Sequence, residues 1–90
     1  MYMLIGEQQG EAGEPAERRA RFEHMAQVVR QSPGFVRGSW GADEDDPTVE
    51  HALVVLDTLE NAQALRRAVE TNVTGVRHRL MAVAVEAAAS

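Results

Sequence analysis

The chain has 90 residues, enough for one domain, in which roughly 60–65% of the unfolded surface would be buried. It carries nine positive and fourteen negative side chains for a net charge of −5, and every positive one is arginine. With no cysteine there is no disulfide framework, no thiol nucleophile and no Cys-ligated metal, and an acidic, aromatic-poor chain without a basic stripe argues against nucleic acid as a partner. No run approaches the ~18 apolar residues of a membrane span, so no membrane partner is expected. The N-terminus lacks the basic and apolar regions of a secretory signal, which gives the expectation of a cytoplasmic, bacterial protein.

In chain order, Tyr2 to Glu7 is a short, largely apolar run suited to a first strand, followed by a polar, glycine-containing loop from Gln8 to Gly13. Pro15 fits the first turn of a helix, with Glu14 and Glu17 well placed against its positive end. Phe22, Met25, Ala26 and Val29 recur at i, i+3, i+4 and i+7, so they form one apolar stripe. Arg18, Arg19 and Arg21 are interspersed with Glu14, Glu17 and Glu23 and read as a solvated helix face. Pro33-Gly34 stops the helix.

Phe35 to Trp40 reads as the second strand, Asp43 to Pro47 as an acidic turn, and His51 to Leu56 as the third strand. The acidic run lacks the ligand spacing and central glycine of a calcium loop, so no metal is assigned to it. Thr58 can cap a helix beginning at Leu59, whose Ala62, Leu65, Ala68 and Val69 share a face. Asn72 and Gly75 supply its stop signals, and residues 76–85 read as a fourth strand.

The order β-α-β-β-α-β predicts an α+β domain: a ferredoxin-like, four-stranded antiparallel sheet with both helices on one face. Residues 2–5, 52–56 and 80–85 are apolar at both alternating positions, whereas a sheet with one wet face should alternate. Two helices cover one face. A second copy is expected on the other, giving a homodimer.

Pro33-Gly34-Phe35 after the first helix, the short hairpin, and the apolar strand running into Asn61-Ala62-x-x-Leu65 resemble the dimeric α/β-barrel proteins, in particular the antibiotic-biosynthesis-monooxygenase-like domains. The resemblance spans nearly the whole chain. It implies two ferredoxin-like subunits packed sheet against sheet, with a pocket between each sheet and its own helices. Some members of the family oxidise polycyclic phenols with O₂ and no bound cofactor, some degrade haem, and many have no known activity. Haem-degrading members use an Asn near the end of strand one, a Trp at the end of strand three and a His on helix two. Here those places hold Glu7, Leu56 and the stretch Leu59–Asn72, which has no histidine, so haem degradation is disfavoured.

The ligand pocket is accordingly expected to use Glu7, Phe22, Met25, Trp40, Leu56 and Leu65, with Glu7 and His51 as candidate bases. Trp40 suits a stacking wall for a flat aromatic ligand or packing at an edge or interface. His51, at the start of its strand, suits a general base or an exposed strand end. Arg37 suits an anion contact or a wet edge. His24 and His78 have no carboxylate or second histidine at a ligand spacing and read as ordinary surface. Three functions fit: a cofactor-free monooxygenase-like enzyme for a small aromatic or quinol substrate, a non-catalytic small-molecule binding module, and a structural dimer domain.

Overall fold

The computed structural model of the chain describes residues 1–10 and 13–89; Glu11 and Ala12, within the expected 8–13 loop, lie outside the described residues. Six elements follow in order: β1 (Tyr2–Gln9), α1 (Pro15–Val29), β2 (Phe35–Ala42), β3 (Val49–Leu56), α2 (Leu59–Asn72) and β4 (Arg77–Ala82). The strands form one antiparallel sheet in the order β2-β3-β1-β4, and the α+β, ferredoxin-like arrangement is the one expected from the sequence.

Local chemistry sets each boundary. Pro15 opens α1 where a missing amide is harmless. After α1, Gly34 turns the chain at φ +78, and a Cβ there would collide with the Asp57 carboxylate and the Asn61 amide. Asp57 N–H donates to the Gly34 carbonyl at 2.9 Å, which ties this turn to the end of β3. Thr58 accepts from Asn61 N–H at 3.1 Å and caps α2, as its position suggested. Asp43 Oδ2 accepts from the amides of Asp45 and Asp46, and Asp46 Oδ1 from Thr48, so the acidic hairpin is a self-capped turn. Among the described residues no cluster of three or more His, Asp or Glu is arranged to hold a metal. Replacing Asp45 and Asp46 by Asn keeps the Oδ acceptors and should change stability by no more than ~0.5 kcal/mol. Calcium and magnesium should leave the Tm unmoved in a thermal melt; a rise of several degrees would contradict this.

Strand four ends early. Residues 83–85, expected to continue it, are not in the sheet, because β1 itself begins at Tyr2, which pairs with Ala82. Val83 N–H still reaches the Met1 carbonyl at 3.0 Å, and beyond that no neighbouring strand remains among the described residues. The segment after β4 then meets β2 through an Arg37–Glu86 ion pair.

Even-numbered positions of β1, β3 and β4 face the helices: Leu4 lies between Val54 and Leu80, and Gly6 between Ala52 and His78. Leu4, Val54, Leu56, Ala62 and Leu65 make the buried core, so α2 packs tightly on the sheet while Ala68 is left exposed. Helix α1 has no fully buried residue. Its inward stripe holds Phe22, Met25, Ala26 and Val29 at half burial, and Arg18 and Arg21 share that side. The opposite sheet face carries Met3, Ile5, Leu53, Val55 and Met81; Leu53 and Met81 are more than 40% exposed.

Candidate functional site

A cavity of about 70 Å³ lies between the sheet and the helices, walled by Phe22, Met25, Trp40, Val54, Leu65 and Val69. A single water needs roughly 10–15 Å³ on this measure, so the space fits several waters or one small ring system. Trp40 is held in the wall by the strand itself. Its ring folds back along β2 over Gly38, where a Cβ would come within 2.6 Å of the indole. Gly38→Val should therefore expel the indole from the wall and change the emission of the chain's single tryptophan; an unchanged spectrum would contradict the packing.

The structure gathers Phe22, Met25, Trp40 and Leu65 around this cavity. Leu56 is not among its walls: it is wholly buried in the core against α2, one pair of residues further along β3 than Val54. Glu7 and His51 border the cavity, but they are direct cross-strand partners at odd positions, and strand alternation turns their side chains to the outer face. There His51 Nε2 meets Asp43 Oδ1 at 2.7 Å, and this bond, with the two turn amides, holds the Asp43 carboxyl below its ordinary value of 3.8.

Two features of the site run against expectation. Arg18 and Arg21 are not merely a solvated face. Arg18 Nε lies 2.9 Å and Arg21 Nη2 3.2 Å from Glu50 Oε2, and Gln8 Nε2 donates to Glu50 Oε1 at 3.2 Å. Arg18 also donates to the Pro47 carbonyl, and Arg19, pointing out, pairs with Glu23. Glu50 is only 2% exposed. Burial pushes its carboxyl up, but the bonds from Gln8, Arg18 and Arg21 prevail and hold it below the ordinary 4.5. This network fastens α1 across one end of the cavity. Its partners are 29 and 32 residues apart in sequence, too far for a spacing rule to find.

The second is His78, which is no surface residue. Its side chain is 3% exposed and lines the cavity from β4, at the even position paired with Gly6. The signal was available in strand parity: His78 alternates with Leu80, both on the helix side.

No protein-family model matches the chain, and no curated protein matches it significantly. Solved structures do. A candidate antibiotic biosynthesis monooxygenase from Deinococcus radiodurans superimposes on 100% of this chain and 99% of its own, with a TM-score of 0.69 at 19% identity. SnoaB from Streptomyces nogalater, a cofactor-independent oxygenase seen as a single-substitution variant, covers 94% of each chain with a TM-score of 0.67 at 22% identity. At such identities the likeness is one of fold: the chain has the ferredoxin-like fold found in antibiotic-biosynthesis-monooxygenase-like proteins.

Proposed function

We propose that this chain is a small oxygenase-like protein that takes a one- or two-ring phenol or quinol into the helix–sheet cavity and supports its oxidation by O₂ without a bound cofactor. The observation that carries the reading is the cavity itself: apolar walls with an aromatic face from Trp40 and a nearly buried imidazole on its sheet side. In such a reaction the protein supplies a dry space and a group that takes the phenolic proton, leaving an electron-rich anion. The likeness in fold to a protein described as a cofactor-independent oxygenase supports the same reading. Haem fits it poorly, since α2 has no histidine and Leu56 fills the core. Oxygen uptake in the presence of a dihydroxynaphthalene and a chelator, with no flavin or metal added, should exceed the rate without protein. Binding without any added uptake would move the assignment to a non-catalytic binding module.

The partner we assign is a second copy, seated on the outer sheet face, where Ile5, Leu53 and Met81 leave apolar surface uncovered. No helix among the described residues is long and apolar enough to cross a membrane, and the cysteine-free chain suits the cytoplasm. Light scattering at micromolar concentration should give twice the chain mass of 9.9 kDa. A clean monomer would remove the dimer.

A further inference from the structure

The imidazole of His78 has an arrangement that packing alone does not account for. It is almost entirely buried, yet Nδ1 has no hydrogen-bond partner among the described residues. A buried polar atom left so is unfavourable and calls for an explanation. Glu70 Oε1 on α2 lies 3.5 Å from Nδ1, just beyond a well-formed bond. Glu70 is itself held by Arg66 Nε at 3.1 Å, and this bond, followed by the approach of His78, keeps its carboxyl below the ordinary 4.5. The opposite ring edge, Cδ2 and Nε2, lies over Gly6 on the cavity wall: a Cβ at Gly6 would stand 3.4 and 3.6 Å from those two atoms. Arg66, Glu70, His78 and the cavity therefore stand in a row.

We infer that His78, backed by Glu70, is the proton acceptor of the cavity for the acidic hydroxyl of an aromatic ligand. This rests on the reading of the cavity as a ligand site. With the proton on Nδ1, facing the Glu70 carboxylate 3.5 Å away, the Nε2 lone pair is left for the ligand. The O–H bond of the ligand breaks with its electron pair staying on oxygen, the proton forms the Nε2–H bond, and the imidazolium is stabilised by Glu70. His78 touches the ligand; Glu70 acts through it as a positioning residue. The other charges near the ring do not compete. On β4, Arg77 and Arg79 turn to the outer face by alternation, as do Glu7 on β1 and His51 on β3. Glu50, further along the cavity wall on β3, is already engaged by Gln8 and, from α1, by Arg18 and Arg21. Ligands without an acidic hydroxyl gain nothing from this arrangement, so it also selects phenols and enols over their ethers.

The probe is 4-nitrophenol, which ionises near neutral pH and turns yellow as the phenolate, with 4-nitroanisole as the ether control. Binding is read by Trp40 fluorescence and ionisation by absorbance across a pH series. The wild-type protein should bind the phenol and lower its apparent pKa by about one unit, a tenfold change in ionisation. His78→Gln, which keeps a polar side chain of similar reach, should still bind it with that shift abolished. Glu70→Gln should bind it with the shift reduced. In the wild-type protein, ring-proton NMR should show His78 taking up a second proton as the phenol binds and none as the anisole binds, which needs no variant to fold. A bound phenol whose ionisation is the same in wild type and His78→Gln, or a His78 ring unchanged on binding, overturns the inference and leaves the cavity reading standing. Failure of both compounds to perturb Trp40 overturns the inference and the cavity reading together.

Discussion

Replacing Leu56 by alanine is expected to destabilise the protein by about 3 kcal/mol, read from urea unfolding. The side chain has no exposed surface and packs among Leu4, Val54, Ala62 and Leu65 at the junction of β1, β3 and α2. Truncation would leave a hole closed on all sides by residues that cannot collapse into it. In a domain this small the total stability is on the order of 5–10 kcal/mol, so the loss would be a large share of it. Met25→Ala is the informative comparison. Met25 is half-buried on the loosely packed α1 and already faces open space in the cavity, so its truncation should be less than half as harmful. Equal effects would mean that the cavity and the core are not separate compartments.

Glu50→Ala should be the next most damaging change, by about 2 kcal/mol. It removes the buried carboxylate that Gln8, Arg18 and Arg21 surround and leaves those groups facing each other. The expected value lies below that of a fully buried pair because Arg18 and Arg21 are 20% and 39% exposed and can recover water. The same site gives a pH dependence with a definite sign. Since the carboxyl of Glu50 is lowered from 4.5 in the folded chain, its contribution is complete above that pH. It is lost as the pH falls through the lowered value. Unfolding midpoints measured from neutral pH into acid should fall more steeply for wild type than for Glu50→Gln. Parallel curves would show that the network does not carry the acid sensitivity.

The fold was largely legible in the sequence because its signals are local. Pro33-Gly34, the acidic run Asp43–Asp46 and Thr58 each stop or start an element through their own backbone chemistry. The end of β4 was not, because it depends on where β1 begins, a matter of pairing 80 residues apart that Val83 and Val85 do not encode. The walls of the cavity could be read in part. Phe22, Met25 and Leu65 follow from helical spacing, and Trp40 from its place on β2. Its polar groups could not be read from spacing. Glu50, Arg18 and Arg21 look like ordinary surface charge until the chain brings α1 over β3, and His78 looks like an ordinary surface histidine until parity with Leu80 puts it inside. Glu7 and His51 stand out in the sequence as isolated titratable groups near strand ends, and the same parity turns both away.

The central claim is that the cavity between the helices and the sheet is a site for a small aromatic hydroxy compound. Trp40, the only tryptophan, forms part of its wall and reports on it without any label. Titrating the protein with 5-hydroxy-1,4-naphthoquinone, and separately with haem, while following tryptophan emission and the Soret band tests the claim most directly. Saturable quenching by the quinone at micromolar concentration, weakened by Met25→Phe, which fills the cavity, is the result expected. Tight haem binding with slow loss of the Soret band, or a tryptophan indifferent to the quinone, would contradict it.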